Sequence, residues 1–194
     1  LKPGKEESFK RFHPWVFSGA IDRFERQPEE GDVVEIIDWK GNFVGTGHYQ
    51  IGSIAVRILS FMKENIDLEF YKKRLNVAYR MRRSIGLING DYNNTYRLVH
   101  GEGDNLSGLI IDIYDKTAVV QAHSPGMHYA RHTLAQALKE VMGDALQSIY
   151  YKSETTLPYK AELDPENEYL FGENAGNIAT EYGLKFHVDW LRGQ

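Results

Sequence analysis

The side chains that could do chemistry in this sequence are histidines, clustered carboxylates and clustered cations, with no thiol among them. Seven histidines stand at positions 13, 48, 100, 123, 128, 132 and 187. His128 and His132 have the i, i+4 spacing that lets two imidazoles share a metal on one helix face. Tyr129 occupies the position where such a helix carries its glutamate, and no third ligand is near in sequence, so a solvated helix face is expected instead. The run Gly101-Glu102-Gly103-Asp104-Asn105-Leu106-Ser107-Gly108 is glycine-rich and follows a strand pattern, yet it lacks both the G-x-G-x-x-G spacing and a lysine at its exit. It leads into the apolar strand Leu109 to Ile113, not into a helix whose N-terminal amides would hold a phosphate. Glu102 and Asp104 would also repel an anion, which leaves a tight structural turn. No Gly-x-Ser-x-Gly elbow places a serine for acyl transfer. Glu102, Asp104, Asp112 and Asp115 are neighbours in sequence only. The sequence therefore assigns no catalytic residue, no metal ligand and no cofactor-binding residue, and a cysteine count of zero removes disulfides, thiolate metal sites and cysteine nucleophiles together.

Binding is the chemistry that remains. Lys5, Lys10, Arg11, His13 and Trp15 bring cations, a hydrogen-bonding ring and a stacking ring within eleven residues, the set that unpaired RNA requires for phosphate and base contact. A core role for Trp15 and Phe17 is the competing reading. The formal net charge of −4 argues against bulk coating of nucleic acid, but it is unevenly spread: residues 1–83 carry a net +3 and residues 84–194 a net −7. Two modules with different partners explain this division better than one uniform domain.

The elements that must position these residues change rhythm along the chain. In the first 60 or so residues, short β-rich runs alternate with turns: the apolar run from Trp15 to Ile21, then Val33–Ile37, Phe43–Tyr49 and a half-buried strand from Ile54 to Leu59 with Arg57 on its outer face. Asp38 to Asn42 is a loop of hairpin length, and Gly45 and Gly47 within a strand suggest a bulge or a close backbone approach. Together these imply a small barrel or curled sheet. A helix follows, capped by Asn65 or Asp67, with Leu68, Tyr71, Leu75, Ala78 and Tyr79 as its apolar stripe. Lys72, Lys73, Arg80 and Arg83 fall within an arc of about 100° beside that stripe. Beyond it, strands are expected at Tyr96–His100, Gly108–Tyr114, Thr117–His123 and Gln147–Tyr151. One helix opens at Ser124-Pro125 and stops at Gly143, Leu157–Phe171 reads as loop, and a final hairpin turns at Gly183.

Three stretches together resemble a known family: Lys10-Arg11-Phe12-His13-Pro14-Trp15-Val16-Phe17-Ser18-Gly19-Ala20-Ile21, the hairpin around Gly41 with Gly45 and Gly47, and Tyr96 to Asp112. The family is the bacterial large-subunit (23S) ribosomal RNA methyltransferases that make 5-methylcytosine, built from a PUA domain, a central α/β domain and a C-terminal Rossmann-like domain that uses S-adenosylmethionine. The resemblance implies an α+β fold with a barrel-like PUA RNA-binding domain at 1–65, a linking basic helix at 66–91, and a central strands-helix-strands domain at 92–194. In the family Gly193-Gln194 leads into the methyltransferase domain, which is absent from this sequence, so a piece of a longer protein is expected. The sequence departs from the family pattern in two places: Ser107 stands where proline is usual, and Pro158-Tyr159-Lys160-Ala161-Glu162-Leu163 stands where the family tends to have an Arg-x-x-Glu-Gly-like stretch.

Cytosine C5 methylation needs a thiolate to add at C6 and a site for the methyl donor. The sequence supplies neither, so these 194 residues are expected to position RNA without catalysing transfer, with S-adenosylmethionine bound only by the parent protein. The residues assigned to RNA are Lys10, Arg11, His13 and Arg57, supported by Lys72, Lys73, Arg80 and Arg83. Expected partners are ribosomal RNA, the catalytic domain and a second copy in a homodimer, in the cytoplasm and without a membrane. Two alternatives stay open: a docking or dimerisation module working through the acidic half, and the PUA module of another RNA-modifying enzyme such as a pseudouridine synthase or transglycosylase.

Overall fold

A computed structural model describes residues 1–158, 163 and 165–193. Four strands form the first sheet: β1 (Trp15–Phe17), β2 (Val33–Ile37), β3 (Phe43–Tyr49) and β4 (Ile54–Ser60), antiparallel throughout in the order β1-β4-β3-β2. The β2–β3 turn is organised by Asp38, whose carboxylate accepts from the backbone N–H groups of Lys40 and Asn42, both at 2.8 Å. β1 and β2 do not pair with each other, so the sheet is curled and open, not a closed barrel. The expected bulge is present: the β3–β4 register shifts between Thr46 and Gly47, and a Cβ at Gly47 would lie 2.1 Å from the Arg57 carbonyl oxygen. Ser18–Ala20 is a 3-10 turn where the apolar run had suggested more strand. Lys5–Arg11 forms another, inserting Phe9 into a core made with Val16, Ile36, Val56 and Ile58.

Helix α1 (Leu68–Ser84) begins as anticipated, with Asp67 accepting from the Phe70 N–H at 3.1 Å. The second sheet runs β5-β6-β7-β8-β9, formed by β5 (Thr95–His100), β6 (Leu109–Tyr114), β7 (Thr117–Ala122), β8 (Ser148–Tyr151) and β9 (Glu168–Phe171). Only β7 and β8 are parallel, which requires the helical crossover between them. Ser124 caps that crossover and Pro125 is its first residue, as read from sequence. The crossover is two helices, α2 (Pro125–Tyr129) and α3 (Arg131–Met142), because at Ala130 the backbone opens to ψ −3°. β9 corrects the loop expected over Leu157–Phe171. It is held by main-chain pairing to β8, as in Tyr150↔Tyr169, which a stretch following prolines and acidic residues does not announce locally. The departure at Pro158–Leu163 lies mostly outside the described residues, since 159–162 are not described, and Gln194 lies outside them too. Finally β10 (Ile178–Glu181) and β11 (Leu184–His187) make the expected hairpin, with Tyr182 at φ +49° and Gly183 at φ +79°, the double left-handed pair that a tight two-residue turn demands.

One strand serves two cores. Val56 and Ile58 of β4 pack into the first sheet's core. Leu59 joins the larger core, in which Leu75 of α1, Leu98, Leu109 and Ile111 of the second sheet, and Leu134 and Leu138 of α3 are fully buried. Strand β4 therefore buries both faces, and Arg57 points at the seam between the two sheets. Among the described residues no helix is long and apolar enough to cross a membrane.

Candidate nucleic-acid interface

The seam is closed by Glu102, in the 3-10 turn Gly101–Asp104 that follows β5. Its Oε1 accepts from Trp15 Nε1 on β1 at 2.8 Å, from Arg57 Nη1 on β4 at 3.3 Å and from Ser107 Oγ at 2.6 Å. Burial pushes the Glu102 carboxyl up, but the hydrogen bonds from Ser107, Trp15 and its own backbone, with the Arg57 charge, hold it below the usual carboxylate range. Arg57 is further fixed by Gln50, which accepts from Nε at 3.2 Å, and its guanidinium lies 5.8 Å from the Trp15 ring centroid. The glycine-rich loop read from sequence as a structural turn is thus the bridge between the two sheets. Ser107, the departure from the family's proline, donates one of the three bonds that hold it.

Backbone contacts reinforce the bridge. A Cβ at Gly126 of α2 would sit 2.1 Å from His48 Cγ on β3, and one at Gly31 would sit 2.3 Å from the Tyr129 ring. Around the bridge lies a cleft of about 250 Å³, walled by Trp15, Arg57, His100, Glu102, Leu109 and His123.

Beside the cleft is an aromatic and cationic rim. His13, Trp15 and Phe17 have ring centroids 6.0 to 6.4 Å apart, and Phe17 is 48% exposed. Phe12, in the left-handed region at φ 58°, leans edge-on against Phe61 and is 71% exposed. Large rings open to water on one edge of a small domain are a contact surface more than a core. Lys10 and Arg11, at the end of the first 3-10 turn, flank them. Lys10 Nζ contacts Glu7 at 2.5 Å, and that hydrogen bond raises its pKa.

The remaining sequence-assigned cations lie on α1, and the structure treats them unequally. Lys72 is tied to Glu69 at 2.7 Å and to Glu140 of α3 at 2.8 Å, and the Glu140 bond is the first cause of its raised pKa. Lys73 is exposed, 3.9 Å from Glu64, while Arg80 and Arg83 are exposed with no ion pair recorded among the described residues. Arg82, which the sequence reading left out, makes a bidentate pair with Asp104 at 2.5 and 2.7 Å. It also donates from Nε to the Arg97 carbonyl at 3.0 Å. Its neighbour Arg97 pairs with Asp112 at 2.8 and 3.0 Å.

The histidines do not assemble a metal centre: among the described residues no group of three His, Asp or Glu side chains is placed to hold an ion. His128 is half-buried against Tyr151 Oη at 2.7 Å, which corrects the solvated face expected of it, whereas its i+4 neighbour His132 is exposed. His48 is 4% exposed, and burial lowers its pKa to about 4. The His123 pKa is lowered by burial and then by Arg57 and Arg97, and its Nε2 is buried without a partner among the described residues. Nor does the glycine-rich loop fit an S-adenosylmethionine cradle. The glycine-rich loop has both carboxylates engaged, Glu102 across the seam and Asp104 with Arg82, and it runs into β6 instead of a helix.

Residues 1–61 match the family model described as a PUA-like domain. Over its whole length the chain is 34% identical to Ribosomal RNA large subunit methyltransferase I of Erwinia tasmaniensis, covering 49% of that protein. It is 36% identical to the protein of the same name in Tolumonas auensis, over 97% of the chain and 48% of the relative. Among solved structures, "A putative sam-dependent methyltransferase from Streptococcus mutans" superposes with a TM-score of 0.76 at 17% identity, over 97% of this chain and 48% of that one, which shows a shared fold. Residues 1–61 are thus similar to a PUA-like domain, the rest of the chain folds as a second sheet with helices, and the chain spans about half the length of the curated ribosomal RNA methyltransferases it matches.

Proposed function

We propose that this chain is the RNA-binding and substrate-positioning part of an S-adenosylmethionine-dependent ribosomal RNA (cytosine-5) methyltransferase, and that it transfers no methyl group by itself. The observation that carries this is the rim: exposed Phe12 and Phe17 beside His13 and Trp15, flanked by Lys10 and Arg11, at the edge of a PUA-like sheet. Stacking rings with cations alongside are what unpaired RNA recognises, and the rigid Glu102 bridge would hold the second unit at a fixed angle to the bound strand. The relatives are about twice as long, which supports assigning methyl transfer to a domain outside these 194 residues. The proposed domains are the PUA-like sheet at 1–65, the α1 link at 66–91 and the second unit at 92–194.

Lys10, Arg11 and His13 make the direct contacts in this reading, with the exposed Lys73, Arg80 and Arg83 extending the track. Arg57 acts from the cleft wall, and Lys72 contributes to the field more than to contact. If three to five phosphates are neutralised, log K should fall with log[salt] at a slope of about −2 to −4 for single-stranded RNA. Replacing Lys10 and Arg11 with alanine should weaken binding and flatten that slope, as read by fluorescence anisotropy across a salt series. An unchanged titration would remove those two residues from the interface, and detectable methylation by these residues with S-adenosylmethionine would overturn the positioning role.

A second reading has its own observation. The β10–β11 hairpin leaves Leu184 and Phe186, which share one face, open at 65% and 46% exposure, a face suited to docking on a catalytic domain or a second copy. Light scattering on the eluting protein decides whether that face is used for a homodimer.

A further inference from the structure

We propose that the cleft between the two sheets is a subsite for one unpaired RNA base bearing an exocyclic amino group, placed beside Trp15 and hydrogen-bonded through that amino group to Glu102 Oε2. This rests on the RNA-binding reading and specifies what the strand inserts.

The argument begins with how Glu102 is used. All three of its side-chain donors, Trp15 Nε1, Arg57 Nη1 and Ser107 Oγ, converge on Oε1, and none among the described residues reaches Oε2. The side chain keeps 37% of its surface, so that second oxygen is not sealed off. An ionised carboxylate only accepts hydrogen bonds, so whatever binds there must donate. A backbone phosphodiester has no hydrogen to donate, and the same carboxylate repels it, which argues against a backbone-phosphate site despite Arg57.

The cleft's walls fit a flat heterocycle better than an extended chain. It is about 250 Å³, with an indole on one side and Leu109 on another, and His100 and His123 supply further polar edges. His123 lines the cleft and keeps its Nε2 buried without a hydrogen-bond partner among the described residues. The opening adjoins the rim of His13 and Phe17, so a strand tracking the rim passes the mouth. Cytosine, adenine and guanine each carry an exocyclic amino group that a carboxylate can accept from. Uracil offers only N3–H, set between two carbonyl oxygens that a carboxylate repels.

The test compares two pyrimidines of equal stacking area. Five-nucleotide oligoribonucleotides of C only and of U only, each labelled at the 5′ end, are titrated with the full 194-residue protein by fluorescence anisotropy. The C oligomer should bind about tenfold more tightly, the ratio expected of one hydrogen bond to a charged acceptor. Glu102→Gln retains an oxygen for Trp15, Arg57 and Ser107 but puts an NH2 donor where Oε2 was. It should bring the ratio to within about twofold of unity or reverse it toward U, a change that loss of a merely structural carboxylate would not produce. Equal wild-type affinities, or a preference unmoved in E102Q, overturn this inference while leaving RNA binding intact. Failure to bind either oligomer overturns both readings. Should E102Q not fold, the wild-type ratio alone decides.

Discussion

The Arg82–Asp104 pair gives the sharpest test of how the loop carrying Glu102 is held. Both groups are withdrawn from water, with side-chain exposures of 11% and 4%, and they meet in a two-pronged contact at 2.5 and 2.7 Å. Asp104 Oδ2 also accepts from the His100 N–H at 2.6 Å, so one carboxylate fixes both the start of the turn and the end of α1. Asp104→Ala leaves a guanidinium nine-tenths buried without its counter-charge and a backbone donor without its acceptor. Breaking a buried pair from one side costs about 3–5 kcal/mol, most of it the stranded charge. For a chain of this size, that corresponds to a fall in Tm of about 6–20 °C. Arg82→Met strands the carboxylate instead and should cost a similar amount. The double variant strands neither, so its loss should be smaller than either single loss, with a coupling of about 2–3 kcal/mol between the sites. Urea titrations followed by circular dichroism on the four proteins measure the cycle. Additive losses, or an Asp104→Ala cost below about 1 kcal/mol, would refute the view that this pair anchors the loop.

Two other perturbations address the seam. Gly126→Ala raises intrinsic helix propensity by about 1 kcal/mol, yet its methyl would meet the buried His48 ring at 2.1 Å. A net loss of about 1–3 kcal/mol, with faster proteolysis between the modules, is expected, and a gain in stability would show that the two sheets do not pack as described. His48 supplies a pH dependence. Its folded pKa of about 4 lies below the ordinary 6.5, so between those values the unfolded chain binds a proton that the native state refuses. The stability it contributes, about 3 kcal/mol, is complete above pH 6.5 and is lost as pH falls through 4. His48→Phe, which keeps a ring over Gly126, should lose less stability between pH 7 and pH 4.5 than the wild type in matched urea titrations. Identical pH profiles would place His48 in solvent.

Local patterns are legible where a residue's neighbours in sequence are also its neighbours in space. The alternation from Ile54 to Leu59, the Asp67 cap, the Ser124-Pro125 start and the Tyr182-Gly183 turn are all encoded within a few residues, and each stands where it was expected. β9 was missed because its strand character resides in β8, about twenty residues upstream. The break at Ala130 was missed because alanine is the best helix former and carries no stop signal. Phe9 was missed because a 3-10 turn has no periodicity long enough to read.

Glu102 shows the same limit acting on function. In sequence, two acidic residues in a glycine-rich loop read as an obstacle to anions and nothing more. In space, that carboxylate is the acceptor for an indole 87 positions away and a guanidinium 45 positions away, contacts that leave no local trace. The same geometry changes what Arg57 can do. Read from its strand it is an outward-facing cation available to a phosphate, but with 14% of its side chain exposed and its charge already facing Glu102, it would have to surrender that contact to bind one. A guanidinium so placed is better suited to fixing the wall of the cleft than to gripping a mobile strand. In the proposed reading, phosphate contact then falls to Lys10 and Arg11 at the rim, extended by Lys73, Arg80 and Arg83 along α1, and choice of base to the Glu102 oxygen that no side-chain donor among the described residues reaches.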